Sequence, residues 1–373
     1  MTTFAPSHIR SPGVRGCCNN FDPPEGYWCS DKTSGGGAFT YRIPSGMGFT
    51  PDLLPNSPYS HPEGGVVQAF RPGHWASWMF EVDGATVAGK DQTVTWKRGG
   101  FQGARGSNAG AEWFVENIRE ELDSPFEYFF DKADGKLYFV ANGTDSPSGS
   151  SFEATALQDL ITVAGLPSTR GTHRQPVVGF RLLGVGIKDA AITYFESHSI
   201  PSGGDWGLQR MGALFFENTV GTIIDGCTFS RNDGIAVMIS GFNREFVVRN
   251  SEFVWNGETA MAGWGYTDNM DGTSGEQPRG TLIENNFCHE IGHFEKQSSC
   301  WFQAKTATTT LRNNIMFNGP RALINFNDGF GGGNVIDGNL MFNANRETSD
   351  HGQFRILSFF VLTVSPAARS PLS

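Results

Sequence analysis

Residues His289-Glu290-Ile291-Gly292-His293 spell HExxH, the spacing at which two histidines one helical turn apart bind zinc while the glutamate serves as base. That chemistry requires a helix. The pentapeptide instead follows LIENNFC, a strand-like stretch, and Gly292 with Asn285 and Asn286 disfavours helix. The third histidine of the metzincin spacing would fall on residue 299, which is Ser. A zinc peptidase is therefore a remote reading, and no metal site is expected from this motif. Asp268, Asp271 and Glu276, in TDNMDGTSGEQPR at 267 to 279, lack the DxDxDG register and terminal Glu of an EF-hand. An oxygen-rich loop of that kind is compatible with calcium, but it reads first as a solvated loop. Gly329, Gly331, Gly332 and Gly333 are not followed by Lys-Ser/Thr, so a phosphate loop is excluded as well.

Other polar residues acquire a place only through a repeat. Five segments share one pattern: IIDGCTF at 223, VVRNSEF at 247, LIENNFC at 282, TLRNNIMF at 310 and VIDGNLMF at 335. Ile224, Val248, Ile283, Leu311 and Ile336 are equivalent, with gaps of 24, 35, 28 and 25 residues. A second series runs in step: ALFFEN at 213, AVMISG at 236, AMAGWG at 260, CWFQAK at 300 and ALINFN at 322, with gaps of 23, 24, 40 and 22. Both series place the long insertion in the same unit, around residues 267 to 279. A unit this short, with two strands and a Gly or Asn corner, cannot bury its apolar face alone and must stack on its neighbours. The expected fold is all-β, a right-handed parallel β-helix. Leucine-rich repeats are set aside, because the LxxLxL spacing and a helix per unit are missing.

Stacking then assigns roles. Asn286, Asn314 and Asn339 form an expected inner asparagine ladder. Ala213, Ala236, Ala260, Cys300 and Ala322 form an expected inward stack of small residues. Asp225, Arg249, Glu284, Arg312 and Asp337 alternate strictly in sign, which points to an outward salt-bridge ladder rather than to acid and base catalysis. If Ala213 and Phe215 face inward, the period of 2 turns the intervening residues outward. On the last coils these are Trp301, Gln303 and Lys305, then Leu323, Asn325 and Asn327. A tryptophan platform beside amides and a cation suits a sugar chain, so Trp301, Gln303, Asn325 and Asn327 are the candidate binding residues. Neighbouring loops add Glu295, Asp328, Asp350 and His351 to Lys305 as candidate catalytic groups.

The stretches PSGGDWGLQRMGALFFE, GYTDNMDGTSGEQPR, HEIGHFEKQSSCWFQAKTATTTLRNNIMFNGPRALINFNDGFGGGN and RETSDHG resemble a family of right-handed parallel β-helix proteins in the pectin-lyase-like superfamily. GGFQGARG and WFVENIREELDSP resemble the segment that precedes the helix in those proteins, and the likeness covers most of residues 25 to 354. It implies the fold and an extracellular role on polysaccharides, with a glycan as partner, but it carries over no catalytic residue. In β-helix lyases a basic side chain removes the C5 proton of a uronate, a role open to Lys305. Glycosidases of the same fold use carboxylate pairs, open to Asp328 with Glu295 or Asp350. Beside these stand plainer readings: Lys305 as a solvated rung lysine, Asp328 as the first residue of a turn. A glycan-binding or structural β-helix without catalysis is the competing class.

The remaining elements frame the solenoid. Residues 1 to 60 read as an irregular Gly/Pro-rich segment. Residues 61 to 170 read as a β-rich cover packed on the solenoid, with strand-like WMFEVDG, QTVTWKRGG, FEYFF and KLYFVANG and one expected helix over WFVENIREELDSP, residues 113 to 125. The coils fill 171 to 354. After Phe354 the likeness stops, and 355 to 373 reads as a non-repeat tail, truncated or mis-spliced. Across 373 residues, 38% hydrophobic and 13% aromatic supply a core, so disorder is excluded. A net charge of −10 argues against nucleic acid as a partner. No run approaches the ~18 apolar residues of a membrane span. The N-terminus MTTFAPSHIRSPGVRG has no apolar signal core. Six cysteines without a CxxC pair are too few for a disulfide scaffold, leaving a local bridge among Cys17, Cys18 and Cys29 or buried thiols.

Overall fold

The computed structural model describes residues 44–71, 73–75, 77–100, 112–143, 146, 149–168, 173–199, 206, 208–267, 271–327, 331–349, 352–356 and 363–365. The chain divides into two compact units, 1–153 and 154–373.

The second unit is a right-handed parallel β-helix. Each coil visits three parallel sheets in the same order, as in Leu214–Val220, Ile223–Asp225 and Thr228–Ser230. The nine-stranded sheet stacks Ile161–Ala164, Leu214–Val220, Val237–Arg244, Met261–Trp264, Trp301–Ala304, Ile324–Phe326 and Phe354–Ile356, with two short strands pairing on the far ends. The seven-stranded sheet stacks the series from Arg181–Leu183 to Thr363–Ser365, and the six-stranded sheet runs from Gly186–Lys188 to Leu340–Phe342. The chain beyond residue 354 thus adds one strand to each of two stacks.

Register follows the first repeat series: Ile224, Val248, Ile283, Leu311 and Ile336 pair in succession and are buried. Phe229, Phe253, Cys288, Met316 and Met341 stack beneath the six-stranded sheet, with the first two rings parallel at 4.6 Å. Between the two sheets the backbone must turn through positive φ. Gly226, Asn250, Asn285, Asn313 and Gly338 occupy that position, with φ of 64°, 53°, 53°, 54° and 63°.

The asparagine ladder is continuous. Asn286 Nδ2 donates to Asn314 Oδ1 at 3.0 Å, and Asn314 Nδ2 donates to Asn339 Oδ1 at 2.8 Å. Each amide also serves the backbone: Asn286 N–H donates to Asn314 Oδ1, and Asn314 Nδ2 donates to the Ile283 carbonyl. Ser251 extends the ladder upward, since its N–H donates to Asn286 Oδ1 and its Oγ accepts from Cys227 N–H. Outside, the alternating charges pair as expected, Arg249 with Asp225 at 2.8 Å and Arg312 with Glu284 at 3.6 Å. The amide of Asn250 and the Arg249 guanidinium hold the Asp225 carboxyl below its ordinary range.

Cys227 is a buried free thiol, as one of the two expectations has it, but two other cysteines depart from both. Cys288 and Cys300 form a disulfide inside the core, joining the six-stranded sheet to the start of the next nine-stranded-sheet strand. Eleven residues of intervening corner hide that proximity in the sequence. Cys17, Cys18 and Cys29 lie outside the described residues.

The first unit holds a five-stranded antiparallel sheet, in the order Gly46–Phe49, Asp91–Gly99, Ser77–Ala88, Val66–Phe70, Trp113–Glu116, and a hairpin of Tyr128–Asp131 with Lys136–Phe139. Phe80 and Trp96 stack at 4.2 Å in its core. The helix expected over 113–125 is absent. Trp113–Glu116 is an edge strand on Val66–Phe70, Asn117 turns the chain at φ 52°, and only Arg119–Glu121 makes a single 3₁₀ turn. Pairing with an available sheet edge outweighs the helical spacing of Ile118 and Leu122.

Replacing Asn314 by Leu orphans the Ile283 carbonyl and the Asn286 donors inside the core, and is expected to cost about 3 kcal/mol or more. Thermal unfolding should show Tm lower by roughly 6–12 °C, whereas Asn313→Gly at the neighbouring left-handed corner should change it by no more than ~2 °C.

Candidate functional site

Parity in the nine-stranded sheet is opposite to the expectation. Ala213, Ala236, Ala260 and Cys300 do face the core, but they sit in the bend just before each strand. The strand that follows therefore begins with a second inward residue. Leu214 and Phe216, Val237 and Ile239, Met261, then Trp301, Ile324 and Phe326 belong to the core. Register places Ile324, not Leu323, opposite Trp301, so Leu323 takes the bend position assigned above to Ala322.

The outer face consequently carries Phe215, Met238, Ala262, Phe302 and Asn325 in one row and Glu217, Ser240, Trp264 and Ala304 in the next. A crossing segment covers its middle. Trp206 and Leu208 cluster with Met238, Ala262, Phe302 and Ala304, and Trp206 lies 5.7 Å from the Phe302 ring.

At the end of the strands the covering segment gives way to a polar cluster open to solvent. Glu217 Oε2 accepts from Ser240 Oγ at 2.6 Å and from the Tyr266 hydroxyl at 3.1 Å. Among the described residues its Oε1 has no hydrogen-bond partner. Arg210 donates to Ser240 Oγ at 2.9 Å and to the Trp264 carbonyl at 2.6 Å, and its guanidinium lies 3.9 Å from the Trp264 ring and 4.0 Å from that of Tyr266. Burial pulls Arg210 down to about 10, which leaves it cationic at neutral pH. Tyr266 is 44% exposed and supplies an aromatic surface beside the carboxylate. Gly241, at φ 59°, makes room for it: a Cβ there would stand 2.8 Å from Tyr266 Cε2. Next to this cluster the Phe242 ring is sandwiched between the guanidinium groups of Arg174 and Arg244, each at 4.0 Å, and Arg174 pairs with Glu276 and Asn218.

At the opposite end, in the corner before the strands, a second group is closed. Glu258 is fully buried and accepts from Gln209 Nε2 and from Thr193 Oγ1. Desolvation, with Glu295 and Asp233 nearby, pushes its carboxyl up to about 8, so it carries a proton at neutral pH. Half-buried Asp233, bonded by Thr155, is raised to about 6, mainly by desolvation.

Among the described residues the candidates do not converge. Trp301 and Gln303 point into the core, the indole N–H donating to Gln303 Oε1 at 3.0 Å, so neither joins an outward strip. Asn325 is outward but covered, and Asn327 is buried. Lys305 follows Ala304 at the same strand ends as Glu217, with φ 56°, while buried Glu295 belongs to the preceding corner, where its Oε1 accepts from Gln297 N–H. Asp328, Asp350 and His351 lie outside the described residues. Of the residues that the sequence reading missed, Glu217 stands in ALFFEN, where the assumed parity turned it inward, and Arg210 stands in a segment without repeat pattern. Arg210 still lies within the first of the stretches that carry the family resemblance.

HExxH does not form a zinc helix. His289 ends the strand Phe287–His289 and stacks on Phe317 at 4.9 Å, Glu290 turns the corner at φ 49°, and His293 stacks on Trp255 at 5.2 Å. Among the described residues no group of three His, Cys, Asp or Glu side chains is placed to hold a metal ion.

No protein-family model matches the chain, and no curated protein matches it. Among solved structures it is similar to a glycoside hydrolase, with a TM-score of 0.64 and 12% identity over 86% of this chain and 67% of the other. That likeness is one of fold.

The raised carboxyl of Glu258 has a sign that can be tested. Its folded pKa lies above the unfolded value, so the native state binds the extra proton and stability falls as pH rises between about 4.5 and 8. Denaturant unfolding at pH 5 and pH 8 should show that loss in the wild type, on the order of a few kcal/mol. Glu258→Gln, which keeps an acceptor for Gln209, should flatten the dependence.

Proposed function

We propose that the protein is carbohydrate-active and hydrolyses a polysaccharide on the outer face of the nine-stranded sheet, with Glu217 as the carboxylate that touches the scissile sugar. The observation that carries this reading is the Glu217 cluster. Its carboxylate is fixed through Oε2 by two hydroxyl donors, with Oε1 turned to no protein donor among the described residues, beside an exposed tyrosine ring and a stacked arginine. A carboxylate held in this way can accept a proton from water or attack an anomeric carbon. Tyr266 offers the sugar an apolar face, and Arg210 offers donors to its hydroxyls. The fold shared with a glycoside hydrolase agrees with this reading. Elimination with Lys305 as base is the alternative chemistry, and it is distinguished by its unsaturated products.

A polysaccharide substrate places the work outside the cell, and the Cys288–Cys300 disulfide suits an oxidising compartment. Among the described residues no helix is long and apolar enough to cross a membrane. A second reading, glycan binding without turnover, draws support from the coverage of the mid-face by Trp206 and Leu208.

Purified protein incubated with a polysaccharide panel should release reducing ends from at least one substrate, without the ultraviolet absorbance of unsaturated uronates. Glu217→Gln should lower the rate roughly 100-fold or more while leaving Tm within ~2 °C. Unsaturated products would assign elimination instead. Silence in both assays with glycan-array binding intact would leave the binding reading alone.

A further inference from the structure

Tyr266 is more than an aromatic surface in the Glu217 cluster. Its hydroxyl donates to Glu217 Oε2 at 3.1 Å, and the same oxygen accepts from Ser240 Oγ at 2.6 Å. A nucleophile within hydrogen-bond reach of a base, with the base oriented by a third group, is the arrangement shared by enzymes that attack through a side-chain oxygen. Of the two hydroxyls on this carboxylate only one meets solvent: Ser240 is fully buried, whereas Tyr266 is 44% exposed. The phenol is also fixed in place. Its backbone N–H donates to the Glu276 carbonyl at 2.6 Å, the preceding Gly265 N–H donates to the Ala304 carbonyl at 3.1 Å, and Gly241 leaves room for the ring. The Arg210 guanidinium lies over that ring at 4.0 Å, where it attracts the negative charge that grows on a phenol oxygen as its proton leaves. Catalysis by two carboxylates lacks its second member here. Among the described residues no other carboxylate bonds to Glu217, Ser240, Tyr266 or Arg210.

We infer that Tyr266 is the nucleophile of the reaction and that Glu217 is its base. The inference rests on the reading of this cluster as a hydrolytic site and names the group that attacks. In the first step Glu217 takes the phenolic proton, a bond forms between Tyr266 Oη and the anomeric carbon, and the glycosidic C–O bond breaks, its oxygen leaving with a proton drawn from water. In the second step a water oxygen bonds to the anomeric carbon, the bond to Oη breaks, and the phenolate recovers its proton from Glu217. The proton shed by this water replaces the one drawn in the first step. One glycosidic bond and one water are consumed, and two displacements retain the anomeric configuration. Arg210 faces the phenolate that departs in the second step. Oε2 alone serves the phenol, which leaves Oε1 for a hydroxyl of the same sugar.

The attacking atom can be read directly, by trapping it in the full chain. Disaccharidyl fluorides with β-1,4-glucose, β-1,4-xylose, β-1,4-mannose, α-1,4-glucose and α-1,4-galacturonate backbones serve as probes, 2-fluorinated where the linkage is β and 5-fluorinated where it is α. Fluoride departs without an acid, and the ring fluorine slows the second step, so a covalent intermediate accumulates. Peptide mass mapping is expected to place the glycosyl group on Tyr266. Glu217→Gln should slow labelling about 100-fold or more, and Tyr266→Phe should abolish it at a Tm within ~2 °C of the wild type. The sugar released from a polysaccharide should keep the configuration of the bond that was cleaved. A glycosyl group on Glu217, labelling by none of the five probes, or a product of inverted configuration would overturn the inference. Failure of the underlying reading looks different, because no polysaccharide would then release reducing ends. A glycosyl ester on Glu217 together with reducing-end release would remove the nucleophile assignment and leave that reading standing.

Discussion

Everything in the solenoid unit depends on parallel strands stacked in exact register, because no single coil can bury its own apolar face. The asparagine ladder fixes that register from within. Each rung's amide bonds both the next amide and the adjacent backbone, so a slip by one residue would strand several buried polar groups at once. The left-handed corner held by Gly226, Asn250, Asn285, Asn313 and Gly338 and the alternating charges outside repeat the same spacing. Three devices with different chemistry therefore specify one alignment, and apolar stacks of Ile, Val, Phe and Met fill the interior it creates.

Register also makes the site. Once Leu214, Val237, Met261 and Trp301 point inward in line, Glu217, Ser240 and Trp264 must line up outside, three residues further along each strand. A carboxylate, a hydroxyl and an aromatic ring thereby become neighbours although they lie 23 and 24 residues apart in sequence. Tyr266 and Arg210 come from loops and complete the cluster, Arg210 by stacking where Gly241 leaves the space open to the tyrosine. The rim at the strand ends is polar and open, while the corner at the strand starts is polar and closed, with Glu258 neutral at physiological pH. The outer face of the six-stranded sheet is of another kind, with Phe287, Ile315, Leu340 and Phe342 partly exposed and no carboxylate cluster among these residues.

The sequence makes the coil repeat, its corners, the asparagine ladder and the salt-bridge ladder legible, because each is a one-residue property recurring at a nearly constant interval. The site is far less legible, and the reason is a single bend. Ala213 and its equivalents face inward, as small residues at a corner should, but the strand begins one residue later with another inward side chain, so extrapolating the period of 2 from the alanine inverts the assignments on the coils up to Trp301 and Gln303. Trp301 and Gln303 are thereby misplaced outside and Glu217 inside. The last coil adds a one-residue shift, with Leu323 in the place expected for Ala322. The Cys288–Cys300 bridge and the crossing of Trp206 to Arg210 over the sheet are long-range contacts that no local pattern encodes. The 3₁₀ turn at Arg119–Glu121 shows the converse, a helical spacing overruled by the edge of a sheet.

The central claim is that the outer face of the nine-stranded sheet, at the strand ends around Glu217, is where a glycan sits. Hydrogen exchange of the amides, with and without a saturating oligosaccharide that binds the protein, addresses it most directly. Slowed exchange is expected in segments 208–220, 237–244 and 261–267. Protection confined to 287–289, 315–317 and 340–342, the exposed apolar face of the six-stranded sheet, would contradict it.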